Sequence, residues 1–149
     1  MRQAIDMAVE GVRHGGGPFA ALVVRDGTVI ATGVNQVTRT HDPTAHAEIV
    51  AIREACRVLG SFQLTGCDVY SSCEPCPMCL AALYWARPAR VIFAATHDDA
   101  AAAGFDDSFI YRQMSTPLSE RSVPMARLAD EHATLPFREW ARKTDRIPY

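Results

Sequence analysis

Two short motifs, His46-Ala47-Glu48 and Pro75-Cys76-Pro77-Met78-Cys79, restrict this chain more than any other feature of its sequence. His46, Cys76 and Cys79 offer one imidazole and two thiolates, a set that suits a borderline-soft cation such as zinc. One ion can bind all three only if the fold brings together two segments that are far apart in the sequence. The sequence therefore predicts a fold in which the ends of two elements meet.

Predicted strands and helices alternate on both sides of these motifs. Gly15-Gly16-Gly17-Pro18 ends the first predicted helix, and Asp26-Gly27 is a strong hairpin turn. Strands are predicted over Phe19–Val24, Thr28–Val34, Cys67–Ser72 and Val91–Ala94, and helices over Ala4–Val12, Pro43–Leu59, Cys76–Ala86 and Leu135–Lys143. No clear element is predicted between Thr96 and Leu135. This order favours an α/β fold in one domain over residues 1–149, with a mixed sheet covered by helices.

Both motifs are predicted at the starts of helices. Asp42 can cap the second helix, Pro43 suits its first position, and Ala45, Ile49, Ile52, Cys56 and Leu59 form its predicted buried stripe up to the stop at Gly60. His46 and Glu48 would point to opposite sides of a helix body, so they can share a site only in a first turn. A helix N-terminus also favours deprotonated cysteines.

The number of ligands decides between a structural and a catalytic zinc site. Structural zinc is usually closed by four protein ligands, whereas catalytic zinc keeps a position for water. We therefore interpret His46, Cys76 and Cys79 as a catalytic set, with zinc-bound hydroxide as the nucleophile and Glu48 as the group that accepts the proton of the water and passes it on. Two alternatives stay open: Cys73 as a fourth ligand of a non-catalytic zinc module, and a redox Cys-x-x-Cys pair.

Composition limits the partners and the compartment. A formal net charge of −2 over 149 residues gives no overall positive field for a nucleic acid. Five cysteines, three of them close together, favour metal binding in a reducing compartment over a disulfide scaffold. No signal peptide and no apolar run of membrane length are evident. We expect a cytoplasmic protein without membrane contact.

The residues resemble the cytidine deaminase superfamily and, within it, the bacterial guanine deaminases, from about Gly17 to the C-terminus. The pattern H-x-E followed by P-C-x-x-C is typical of zinc-dependent deaminases. The similar stretches are Asn35, His41–Ile49, Ser72–Cys79, Tyr84–Ala86 and Ala103–Tyr111. The last two stretches and the closing Tyr149 are similar to the guanine deaminase branch in particular.

This resemblance implies a three-layer α/β/α fold with a five-stranded mixed sheet, one Zn²⁺ per subunit, and deamination of guanine to xanthine. It implies that Asn35 and Tyr149 contact the base together with His46, and that Asp107 contacts the amine side and passes protons. It also implies a homodimer in which a segment from about 135 to 149 crosses to the partner subunit.

Ordinary interpretations of the same residues stay open. Asn35 ends a strand, where asparagine is common in turns, Asp107 is typical of a solvated loop, and Tyr149 of a frayed tail. Guanosine, cytosine or cytidine, and aminotriazines are alternative substrates. A transfer RNA adenosine deaminase would need a basic surface, and Glu139 and Asp145 interrupt the basic residues of the tail.

Overall fold

The computed structural model describes residues 1–149, which divide into two compact units, Met1–Ile110 and Tyr111–Tyr149. In the first unit, the helices are α1 (Arg2–Arg13), α2 (Val37–Thr40), α3 (Ala47–Leu59), α4 (Pro77–Ala86) and α5 (His97–Ala102), and the strands are β1 (Ala20–Arg25), β2 (Thr28–Val34), β3 (Cys67–Cys73) and β4 (Arg90–Ala95). Helix α6 (Ser108–Ser115) spans the boundary between the units. The prediction of a single domain stays a prediction.

A mixed sheet with the order β2-β1-β3-β4 forms the centre of the first unit. The hairpin β1–β2 and the pair β1–β3 are antiparallel, and β3–β4 is parallel. Asp26 and Gly27 join the hairpin with φ of 50° and 75°, as a turn with two left-handed residues requires. Both faces of β1 are buried, since α1 packs on β1 and β3 while α3 packs on β1 and β2. The predicted three-layer α/β fold is confirmed.

The sheet has four strands, so the expected fifth strand is wrong. The chain passes from β4 directly into α5, where Thr96 and Asp99 form a capping box that starts a helix. The residues beyond form helices and irregular segments, so β4 remains an edge strand.

Helix α3 lies unusually close to β2. A Cβ at Gly33 would stand 2.1 Å from the carbonyl oxygen of Ala47, so only glycine fits there. The fully buried residues of α3 are accordingly small: Ala47, Ala51 and Ala55. These alanines, and not the predicted stripe, form the buried face of the helix. Of the predicted stripe, Ile52, Cys56 and Leu59 are only partly buried at the edge of the core.

Helix α3 also begins later than predicted, at Ala47 instead of Pro43. Asp42 caps a separate turn, because its Oδ1 accepts hydrogen bonds from the backbone N–H (2.8 Å) and hydroxyl (2.7 Å) of Thr44. His46 then takes an extended conformation as the N-cap, and Gly60 ends the helix at φ 60°, as predicted. The later start keeps His46 and Glu48 at the helix entrance.

The second unit contains a short 3-10 helix (Leu118–Glu120) and α7 (Leu135–Arg142), which confirms the last predicted helix. None of its residues is fully buried. In the whole chain, no helix is both long enough and apolar enough to cross a membrane.

Candidate metal centre and active site

The three predicted metal ligands meet where α3 and α4 begin. His46 and Cys76 are the N-caps of these helices, and Cys79 lies in the first turn of α4. The ligand atoms of all three residues lie within 4.8 Å of one another. His46 Nδ1 stands 3.5 Å from Cys76 Sγ and 3.6 Å from Cys79 Sγ.

These distances test whether the residues fit zinc. Tetrahedral coordination with Zn–S of about 2.3 Å and Zn–N of about 2.05 Å separates nitrogen from sulfur by roughly 3.5–3.6 Å. The measured separations agree, so the imidazole and the two sulfurs fit three corners of a zinc tetrahedron. Cys73 is outside this cluster, since its thiol donates to the carbonyl oxygen of Thr96 (3.5 Å).

The thiols of Cys76 and Cys79 shift each other's pKa in opposite directions. Hydrogen bonds from Cys79 and His46 lower the pKa of the Cys76 thiol, which favours its thiolate form. Hydrogen bonding to Cys76 raises the pKa of Cys79. A cation that binds both sulfurs displaces any proton that they still carry.

Glu48 is a buried carboxyl group beside the metal cluster. It lies in the first turn of α3, and its Oε1 accepts a hydrogen bond from the hydroxyl of Ser71 on β3 (2.8 Å). Burial raises the pKa of Glu48, so the side chain can hold a proton at a higher pH than an exposed glutamate. A carboxyl group of this kind is suited to proton transfer.

The metal cluster opens into a cavity of about 600 Å³ in the first unit, a size typical of small-molecule sites. Its lining includes His46, Glu48 and Cys76 together with Asn35 and Asp107. The structure therefore brings together the predicted residues of the first unit. Tyr149 belongs to the second unit, and its role stays a prediction.

Asn35 and Asp107 stand in different environments. Asn35 is only 7% exposed, and its Oδ1 accepts a hydrogen bond from the backbone N–H of Val37 (3.2 Å). Asp107 is half-buried between α5 and α6, and partial burial followed by the charge of Cys76 raises the pKa of its carboxyl group. Its neighbour Asp106 instead accepts from the backbone N–H of Ser108 (2.9 Å) at the start of α6.

Four contributors to this site were absent from the sequence prediction. Ser71 holds Glu48, and the alternation of buried Cys67, Val69 and Ser71 on β3 was the signal that a hydroxyl faces α3. The rings of Phe19 and Phe105 meet edge to face at 5.0 Å in the lining. His97 lines the cavity and contacts Glu74 through Nδ1 (3.0 Å).

Trp85 is 63% exposed on α4, so it lies outside the core. The buried face of α4 carries Cys79, Leu83 and Ala86, and Trp85 falls outside that face.

Comparison with known proteins agrees with this geometry. The family described as "Cytidine and deoxycytidylate deaminase zinc-binding region" matches residues 1–95. A guanine deaminase of Bacillus subtilis is 52% identical over 150 aligned residues, which cover 100% of this chain and 96% of the relative. A crystal structure of guanine deaminase from that organism superposes with a TM-score of 0.98 over 99% of this chain and 95% of its own.

More distant relatives match a smaller part of the chain. A structure of guanine deaminase from Nitrosomonas europaea is 34% identical, with a TM-score of 0.68 over 70% of this chain and 62% of that one. A tRNA-specific adenosine deaminase of Aquifex aeolicus is 42% identical over 95 residues, 64% of this chain and 63% of the relative. The match to guanine deaminase continues beyond residue 95, and the cluster of His46, Cys76 and Cys79 is complete. This chain therefore belongs to the guanine deaminase family of zinc-dependent, cytidine deaminase-like proteins.

Proposed function

We propose that this chain catalyses the hydrolytic deamination of guanine to xanthine and ammonia. The observation that carries the proposal is the meeting of a three-ligand metal cluster and the buried carboxyl group of Glu48 on one cavity. Three protein ligands leave a coordination position free, as a catalytic zinc requires. Similarity over the full chain to a guanine deaminase supports the choice of substrate.

His46, Cys76 and Cys79 would hold the zinc ion. When bound, zinc supplies Lewis acidity, which lowers the pKa of water towards neutrality. The reaction adds water to the ring carbon that carries the amino group, and the carbon–nitrogen bond to that group then breaks. Ammonia leaves, and the oxygen of water becomes the new carbonyl oxygen.

Glu48 moves the protons of this reaction. Its carboxylate takes a proton from water, gives it to the adjacent ring nitrogen, and passes the second proton to the departing amine. The raised pKa suits this double use, because the group must accept and release a proton at a similar pH. The hydroxyl of Ser71 donates to Oε1 of Glu48 at 2.8 Å and so fixes the carboxyl group beside the metal cluster.

Asn35 and Asp107 recognise the base in this proposal. The backbone N–H of Val37 occupies Oδ1 of Asn35, so the amide nitrogen is the group that can donate to an acceptor on the purine. Asp107, on the same cavity, accepts from the amino group that leaves and helps to pass its protons. His46, besides holding the metal, forms part of the surface against the base.

We also propose a homodimer in which the segment from about 135 to 149 packs on the partner subunit and Tyr149 closes the partner's cavity. Support comes from the exposed side chains of this segment: Phe137 is 74% and Tyr149 71% exposed. Large apolar side chains that are exposed together on the surface of a protein are typical of an interaction site. A cytoplasmic location, in keeping with five free cysteines, stays a prediction.

An ammonia-release screen of the zinc-loaded protein tests the substrate. Guanine, guanosine, cytosine, cytidine, adenine and an aminotriazine would each be offered, with Glu48→Ala protein from the same preparation as the control for contaminating deaminases. We expect guanine to be turned over with a kcat/KM at least about a hundredfold above the others. A higher value for any of the other compounds would replace guanine in the proposal.

A further inference from the structure

Two glycines after α1 lie against Asn35. A Cβ built on Gly17 would meet three atoms of the Asn35 carboxamide, at 3.0 Å from Cγ, 3.2 Å from Oδ1 and 3.4 Å from Nδ2. Gly17 does not have a positive φ, so its backbone conformation is open to any residue. Glycine is therefore needed at position 17 for space, and the group that takes the space is a side chain of the candidate site.

One hydrogen bond holds the carboxamide of Asn35 beside Gly17, and a second holds the backbone of Asn35. The backbone N–H of Val37 donates to Oδ1 (3.2 Å), and the backbone N–H of Asn35 itself donates to the carbonyl oxygen of Phe19 (3.0 Å). No buried side-chain nitrogen or oxygen atom lacks a partner. Since the amide nitrogen of Asn35 has no partner within the chain, it is the part of this nearly buried side chain that reaches the cavity.

We propose that Gly17 is a positioning residue for substrate recognition, which it serves by letting the Asn35 carboxamide lie flat against the loop backbone. This inference rests on the proposed function of Asn35 as the donor to the base. A side chain at position 17 would push the carboxamide by a few tenths of an ångström or rotate it, and the amide nitrogen would no longer point towards the acceptor on the base. Hydrogen bonds to a bound base depend on distances of that order.

The neighbouring glycines provide matched controls. A Cβ at Gly16 would stand 2.6 Å from the backbone carbonyl oxygen of Asn35, so Gly16 serves the fold. A Cβ at Gly11, within α1, would make only ordinary contacts of 3.6 Å and 3.9 Å. Of the three positions, only Gly17 meets the functional side chain alone.

A double-mutant cycle between Gly17→Ala and Asn35→Ala tests the proposal, with steady-state deamination of guanine as the readout. In the presence of Asn35, we expect Gly17→Ala to raise KM about tenfold with little change in kcat, since it weakens binding of the base. In the Asn35→Ala background, the same substitution should change kcat/KM less than about twofold, because the new methyl group has no carboxamide to displace. Gly11→Ala should leave both constants unchanged.

An equal loss in both backgrounds, or no loss in either, would overturn the proposal. If Gly17→Ala alone does not fold, the double variant decides: a folded double variant with the activity of Asn35→Ala locates the clash at the carboxamide. A double variant that also fails to fold assigns Gly17 to the fold and refutes the positioning role.

The failure of the proposed function would be visible separately, as a wild-type protein without guanine turnover. In that case the side-chain amide signals of Asn35 in a ¹⁵N-labelled sample still report on the contact. Gly17→Ala should shift these signals and Gly11→Ala should not. Unshifted signals would contradict the contact, whatever the substrate is.

Discussion

The two compact units of this chain differ most in how they bury their side chains. Met1–Ile110 surrounds a core in which Leu64, Val23 and Val69 are completely inaccessible, and this core holds the metal cluster and the cavity. Tyr111–Tyr149 buries no residue, and its Leu128 is 88% exposed. A closed core keeps catalytic groups at fixed distances, whereas the large apolar side chains of the second unit are exposed.

This difference separates two kinds of function. Chemistry requires the rigid geometry of the first unit, in which α3 and α4 deliver their ligands at their first residues. In the proposed function, the C-terminal segment encloses the substrate by packing on another surface, and the exposed apolar side chains of the second unit are consistent with that role. Substitutions in the first unit should therefore change the chemistry or the stability, whereas changes in the second unit should mainly change the binding of substrate.

The largest effect is expected from removing a metal ligand. Cys79→Ser should abolish zinc binding and reduce guanine turnover below detection, because the serine hydroxyl is a poor zinc ligand. It should also lower Tm, because a bound metal stabilises the folded state. Zinc content by atomic emission and ammonia release measure the two results. Cys56→Ser, a change at a half-buried cysteine outside the cluster, should retain zinc and activity.

Asp107→Asn should reduce kcat by about 10²-fold, the size expected for a group that transfers protons. Asn cannot accept a proton, but it has nearly the same shape, so zinc content and Tm should stay unchanged. The adjacent Asp106→Asn is the control, because Asp106 holds the N–H of Ser108 at the start of α6. Equal losses at both positions would contradict a chemical role for Asp107.

Deleting Ile147 to Tyr149 should reduce kcat/KM by about tenfold or more while leaving zinc content unchanged, since an open cavity binds substrate less well. Mixing this deletion with Glu48→Ala protein then tests the shared site. After subunit exchange, one type of site would have both an intact tail and an intact Glu48, and activity should partly return. No recovery with proven exchange would refute the swapped segment.

The smallest effects are expected on the free energy of unfolding, when one leucine is replaced by alanine in each unit. Leu64→Ala should lower the free energy of unfolding by about 2–5 kcal/mol, because it leaves a cavity in the core. Leu128→Ala should change it by less than about 0.5 kcal/mol in a dilute, monomeric sample. Denaturant unfolding measures both values. A large loss for Leu128→Ala at every concentration would mean that this side chain has a permanent place in the monomer.

Much of the first unit could be predicted from the sequence because its signals are local. The left-handed turn at Asp26-Gly27, the stop at Gly60 and the apolar strand periods depend on neighbouring residues only. The requirement that His46 and Glu48 act together predicted their position at a helix entrance, although the start itself was misjudged. Asp42 bonds to Thr44 instead of to a helix, a choice between two local caps that the sequence leaves open.

The remaining features depend on contacts between distant segments. The alanine face of α3 follows from the close approach of β2 at Gly33. The hydroxyl of Ser71 has its role because it donates a hydrogen bond to Glu48 across the core. The glycine run after α1 predicted only a helix end, since its contact with Asn35 is visible only in the fold. The fifth strand was expected from family resemblance, and no local signal after β4 supports it.

The most direct test of the central claim is the turnover of guanine by Glu48→Gln, with zinc measured in the same sample. Gln keeps the shape and can still accept a hydrogen bond from Ser71, but it cannot carry a proton. We predict one zinc ion per chain, an unchanged fold, and a loss of kcat of about 10³-fold or more. A zinc-loaded Glu48→Gln protein that releases ammonia from guanine at the wild-type rate would contradict this prediction.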